Sequence, residues 1–222
     1  MSTDQTGGFP LNDRPFLILS RIVFQIGLQY LGGLRVAGYD NIPVTGPVLL
    51  CPNHTSDLDP VAILAATRRR DLNALGKSEL FDIPILGSYF RLIGAVPVHR
   101  DSADRAAIRT SEQILGAGRM LLIFPEGRCS PTGKLQAIQS GAILLALRSK
   151  APIIPVGVRG TRNVLPYGAL TPKFAGGGVS VTFGKPLVPS AYSGLSHREA
   201  LRGMNKDLRI ALIKLTMQDM TT

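Results

Sequence analysis

Tryptophan is absent from this chain of 222 residues, and aromatic residues make up only 6% of it. A surface that reads nucleic acid by ring stacking therefore has little material, and no recognised nucleic-acid motif is present. Cysteine is nearly absent as well. Cys51 and Cys129 do not suggest a disulfide framework and cannot complete a structural zinc site alone; such sparing use fits a reducing compartment. With three histidines, a multi-histidine metal centre is not expected. Carboxylates are scarce relative to cations: 15 Asp and Glu stand against 25 Lys and Arg, a formal net charge of +10. That excess favours an anionic partner, an acidic membrane surface or a phosphorylated substrate once nucleic acid is set aside.

Long uninterrupted apolar runs are missing too. Phe16 to Leu34 comes closest, but Arg21, Gln25 and Gln29 interrupt it at every fourth residue, so on a helix they form one polar stripe. A charged residue inside a spanning helix costs roughly 2.5–3.5 kcal/mol on insertion scales. A wide apolar face with a narrow polar stripe predicts a helix from about 14 to 33 lying in a membrane interface. A helix packed on its own domain and a transmembrane anchor are the competing readings. The residues before it are polar, lack a basic cluster and carry Asp4 and Asp13, which is not a secretory signal pattern. Near an anionic leaflet each Lys or Arg contributes about 1 kcal/mol. Charge and helix together predict peripheral, reversible attachment that weakens with salt and is lost on deleting residues 1–34.

Strands are expected at 34–38, 47–51, 72–76, 94–98, 120–124, 153–158 and 179–183. Helices are expected from the Asp59 cap and Pro60 to about Arg70, and then over 78–92, 103–115 and 138–149. A last helix should start at the capping box Ser196-His197-Arg198-Glu199 and run to about 217. No internal repeat or low-complexity linker divides the chain. Alternating strands and helices predict an α/β fold, one domain over 35–222 with a mixed, largely parallel central sheet flanked by helices. Residues 1–34 precede it as a polar tail and an amphipathic helix.

The residues with chemical potential follow strand ends. Asn53-His54-Thr55-Ser56-Asp57-Leu58-Asp59 comes after strand 47–51, Arg100 after 94–98, and Phe124-Pro125-Glu126-Gly127 ends strand 120–124. In an open α/β sheet ligands bind at that edge. Histidine, with an ordinary pKa of about 6.5, suits proton transfer near neutrality, and a carboxylate can orient its ring. His54 is thus the candidate general base and Asp59 its partner. No covalent nucleophile is evident: there is no G-x-S-x-G elbow, and neither cysteine has a second histidine beside it in sequence. Attack by an acceptor hydroxyl is the simpler scheme. Lys77, Arg100 and Arg128 follow strands on the same edge and could bind a phosphate. Arg68-Arg69-Arg70 reads as a solvated helix end. Gly133-Lys134 and Gly184-Lys185 lack both the spacing and the Ser/Thr of a nucleotide-binding loop.

At these residues the chain resembles the glycerolipid acyltransferase family, which includes 1-acylglycerol-3-phosphate acyltransferases. Four blocks carry the likeness in order: His54 through Asp59, Gly94 through Arg100 with Lys77-Ser78-Glu79-Leu80 upstream, Phe124-Pro125-Glu126-Gly127 with Ser130 and Gly133, and Ala151 through Val156. The resemblance implies acyl transfer from acyl-CoA or acyl-acyl carrier protein to a lysophospholipid acceptor at the cytoplasmic face of a membrane. It implies His54 as base, Asp59 as its partner, and Lys77, Arg100, Glu126 and Gly127 as substrate-binding residues, with no metal or organic cofactor. In the third block the family commonly carries its arginine one position later; here Arg128 comes early and Cys129 takes that place. Gln139 stands where a lysine or arginine is frequent. Both changes touch expected phosphate contacts and leave room for a different head group, or for a non-catalytic lipid-binding protein.

Overall fold

The run Val48-Leu49-Leu50-Cys51-Pro52 is buried at every position. That is the pattern of a strand covered on both faces. The computed structural model describes residues 15–99 and 104–217. It places this run as β2 inside a seven-stranded sheet, with β1 (Leu34–Ala37), β3 (Leu72–Lys77), β4 (Val96–Val98), β5 (Met120–Leu122), β6 (Ile153–Arg159) and β7 (Val179–Phe183). The order is β1-β7-β6-β2-β5-β3-β4. Strands β6, β2, β5, β3 and β4 run parallel. β7 lies antiparallel to β6, and β1 follows β7. The mixed, largely parallel sheet expected from the sequence is thus present.

Helices cover both faces. α1 (Pro15–Gly32) and α2 (Asp59–Ala66) pack with Val48, Leu50, Met120, Leu122, Ile154 and Val156. α4 (Arg105–Gly116), α5 (Ser140–Ser149) and α7 (His197–Met217) cover Leu49, Cys51, Leu121 and Ile153 on the other side. Successive β2 residues point to opposite faces, so one strand feeds both cores. α3 (Pro84–Leu92) lies near the β3–β4 margin, and α6 (Thr161–Val164) is a single turn after β6. The capping box at the start of α7 is formed: Ser196 N donates to Glu199 Oε2 at 3.0 Å, and Glu199 N to Ser196 Oγ at 3.4 Å.

Four local expectations are corrected. The N-cap of α2 is Leu58, and Asp59 makes no cap hydrogen bond; its carboxylate is used elsewhere. The same helix ends at Ala66 rather than at the arginines. Arg69 is no solvated helix end: it pairs with Asp71 and donates to the carbonyls of Pro43, Gly46 and Gly118. The helical stretch 78–92 divides into a 3-10 turn, Ser78–Phe81, and α3, where Pro84 sits in the first turn and needs no amide partner.

The polar stripe of α1 turns inward. Arg21 donates to the carbonyls of Thr67 and Arg69, and Gln25 Nε2 to the Ala65 carbonyl at 2.7 Å. A helix end leaves carbonyls without partners and favours cations, so the stripe serves the end of α2. Leu17 and Leu28 are buried beside it. Phe16, Leu19, Ile22, Val23, Ile26 and Tyr30 are left on the surface. At 18 residues α1 is long and apolar enough to be a candidate membrane span by length and composition alone. Its bonds to α2 and its buried leucines lay it along the domain.

Candidate active site

β2 delivers Asn53 and His54 to the carboxyl edge of the sheet. Asn53 holds the exit of the strand, donating from Nδ2 to the Val158 carbonyl at 2.9 Å and accepting from Val158 N at 2.8 Å. His54 then sits under the Phe124 ring, with centroids 3.9 Å apart and planes 27° apart. Its Nδ1 lies 3.0 Å from Asp59 Oδ2. With a carboxylate at Nδ1, the ring donates a proton there and Nε2 keeps a free lone pair.

Asp59 is fully buried and saturated. Oδ2 also accepts from Thr55 N at 2.6 Å and Ser56 N at 2.9 Å, while Oδ1 accepts from Thr161 Oγ1 at 2.5 Å. A buried carboxylate needs such partners to remain in place. The loop 54–59 therefore closes on its own acid. Thr161 comes from the far side of β6, at the start of α6. Sequence reasoning missed it; Gly160-Thr161 just beyond the end of β6, on the same sheet edge, was the available signal.

Glu126 is brought to His54, but through the backbone. Oε1 accepts from His54 N at 2.7 Å and Oε2 from Gln136 N at 2.7 Å. Both oxygens are taken by backbone amides, so the acid ties the loops beside His54 together. Burial pushes this carboxyl above its ordinary value, against the two amide bonds that pull it down. Gly127 has φ +74, and its N donates to the Phe124 carbonyl at 3.0 Å, which closes a tight turn. Ser130 N returns to the His54 carbonyl at 2.8 Å.

The expected cations divide. Arg128 is exposed just after this turn. Lys77 ends β3, two strands from β2, and pairs with Glu79 at 3.1 Å. Arg100 lies outside the described residues. Arg162, which the sequence reading did not single out, donates to the Ser130 carbonyl at 2.9 Å and to the Pro131 carbonyl at 2.5 Å.

Cys129 lies near His54 in space, although not in sequence. The fold sets its thiol, a His54 ring nitrogen and the Asp57 carboxylate within 4.8 Å of one another. These are the ligand types that could approach a cation. As a nucleophile the thiol is poorly suited: burial first, then Asp59, Asp57 and Glu126, push it up to about 12. A thiol held protonated attacks slowly. Cys51 is fully buried, and its thiol is pushed up by burial alone.

Residues 33–159 match the family described as Acyltransferase. The chain belongs to the acyltransferase family. Among the relatives of this acyltransferase, the 1-acyl-sn-glycerol-3-phosphate acyltransferase of Bacillus subtilis is 25% identical over 181 residues, covering 82% of this chain and 87% of that one. The enzyme of the same name from Borreliella burgdorferi is 31% identical over 150 residues; the match takes in 66% of this chain and 59% of that relative. In structure the acyltransferase is similar to the 1-acyl-sn-glycerophosphate (LPA) acyltransferase PlsC of Thermotoga maritima. The TM-score is 0.72 with 24% identity, over 92% of this chain and 84% of that one, a likeness of fold.

Proposed function

We propose that this acyltransferase moves a fatty acyl group from acyl-CoA or acyl-acyl carrier protein to the free hydroxyl of 1-acylglycerol 3-phosphate, giving phosphatidic acid. The observation that carries the reading is the His54–Asp59 pair at 3.0 Å, buried at the end of β2. The named activity of the Bacillus subtilis and Borreliella burgdorferi relatives supports the choice of acceptor.

His54 Nε2 takes the proton of the acceptor hydroxyl as its oxygen attacks the thioester carbonyl. Asp59 keeps the tautomer and stabilises the imidazolium. The tetrahedral intermediate collapses, the carbon–sulfur bond breaks, and the leaving thiolate takes the proton back from His54. Hydroxyl and thioester become ester and thiol, with no covalent enzyme intermediate and no metal or organic cofactor. Glu126 and Gly127 shape the turn beside the base. Lys77, Arg100 and Arg128 bind the acceptor phosphate. The exposed apolar face of α1 rests on an anionic membrane at its cytoplasmic face, where the lysophospholipid resides.

The Arg128-Cys129 order and Gln139 favour one second reading, a lysophospholipid with another head group. Mass spectrometry of purified protein with oleoyl- and palmitoyl-CoA, matching carrier-protein donors and a panel of lysophospholipids separates the two. Phosphatidic acid as the main product supports the first. A diacyl product with another head group supports the second, and lipid binding without any product would contradict both.

A further inference from the structure

The arginines at 68 and 70 lie away from the site at His54, and the fold gives them an unexpected setting. They follow the end of α2, whereas Asp59 opens that helix. Eight residues of helix, about 12 Å, stand between them and the catalytic carboxylate, so they are not the acceptor-phosphate ligands. Both are exposed, and neither joins an ion pair among the described residues, in contrast to Arg69 with Asp71. Arg21 lies close by: burial first, and then the charge of Arg70, hold its guanidinium below the ordinary value. Arg68 is stacked over the Tyr39 ring, 4.0 Å from its centroid. Arg21 and Arg70 repel one another, and an anion would relieve that repulsion.

Tyr39 is also a wall of a groove. This open cavity of about 560 Å³ runs between α1 and β1; Ile26, Tyr30, Leu34, Val36 and Tyr39 make it largely apolar, and Gln25 and Gln29 add two polar side chains. Ile26 and Tyr30 are 64% and 78% exposed, so the groove opens onto the apolar outer face of α1. An apolar trough with a cationic cluster at one wall matches one chemistry, a hydrocarbon chain joined to a phosphate.

We propose that the groove between α1 and β1 is an accessory site for one anionic phospholipid, with an acyl chain along Ile26, Tyr30, Leu34 and Val36 and the phosphate on Arg68 and Arg70. It is separate from the site at His54, and it requires no acyl transfer to be true. The lipid would bind as a component of the membrane, turning general electrostatic attraction into preference for a head group with a free negative charge.

The chain lacks tryptophan, so Tyr30→Trp places a single reporter in the groove. The full-length variant is titrated with dihexanoyl phosphatidylglycerol and dihexanoyl phosphatidylcholine, each below its micelle concentration. The expected result is a saturable blue shift with phosphatidylglycerol at one equivalent, at least tenfold tighter than with phosphatidylcholine. Adding R68Q and R70Q should remove that preference, and the charge-matched R198Q and R202Q on α7 should keep it. Equal affinity for the two lipids, equal weakening by both double variants, or no saturable shift would overturn the site. Acyl transfer to a micellar acceptor, measured in parallel, reports separately on the reaction.

Discussion

At the scale of single residues, the site is a set of loops closed on two buried acids. Asp59 takes four donors and Glu126 takes two backbone amides, so each side chain is fixed before any substrate arrives. Replacing Glu126 by Gln leaves an amide NH₂ facing a backbone N–H, and an unsatisfied buried donor costs about 1–3 kcal/mol. The E126Q protein should be less stable at neutral pH by that order in urea melts. Its pH dependence should change as well. A carboxyl whose folded value is raised contributes stability that is complete below the ordinary carboxylate range and is lost as pH rises through the raised value. E126Q should flatten that acid-side slope; an unchanged slope would put the titration elsewhere. Cys129 provides the contrast. Its thiol is close to His54 yet pushed up to about 12, so direct attack by the acceptor hydroxyl predicts that C129S keeps activity to within about threefold. Trapping of an acyl group on Cys129 in intact-mass spectra would reverse that view. The pairing of His54 with Asp59 was legible from their spacing. Thr161 was not, because its bond to Asp59 spans 102 positions and depends on how β6 lies beside β2.

Elements carry the next level of the argument. The turn between β6 and α6 aims Thr161 at Asp59. Gly160 there has φ +78, and a Cβ would meet the Gly178 carbonyl oxygen at 1.8 Å. The left-handed backbone alone costs an L-residue roughly 1–2 kcal/mol. G160A should lower the melting temperature and reduce kcat more than it raises KM, because Thr161 is displaced while the acceptor pocket is not. Equal activity would show that the Thr161 bond is dispensable. α1 teaches a different lesson. Its period of four was readable in Arg21, Gln25 and Gln29, but periodicity does not say which way a stripe faces; the bare carbonyls at the end of α2 decided that. The deletion of residues 1–34 is consequently a poor probe, since it removes the buried Leu17 and Leu28 as well as β1's first residue. Leu19→Glu with Val23→Glu touches only the exposed face and spares the groove lining. The pair should weaken sedimentation with anionic vesicles at least tenfold, by analogy with losing about 1.5–3 kcal/mol of apolar burial, while thermal stability stays the same. Undiminished sedimentation would remove α1 from the membrane contact.

Over the whole molecule, one sheet edge gathers what the chain scatters. β2, β5 and β6 run parallel side by side, so these residues converge although His54 and Glu126 lie 72 positions apart, and Asp59 and Thr161 102. The strands were legible because parallel strands buried on both faces read as short apolar runs. The order of strands and the reversal of β7 were not, since neither apolar run length nor turn chemistry specifies a neighbour. A formal net charge of +10 over a lipid-handling fold fits an anionic membrane as partner. The central claim is proton transfer by His54 to and from a direct hydroxyl attack on a thioester. Its most direct test is the rate of phosphatidic acid formation from oleoyl-CoA and 1-acylglycerol 3-phosphate, compared between the wild type and a folded His54→Ala protein with equal vesicle binding. General base catalysis contributes typically 10²–10⁴-fold. The account predicts a loss of at least that size for His54→Ala with lipid binding intact, and full activity of the variant would contradict it.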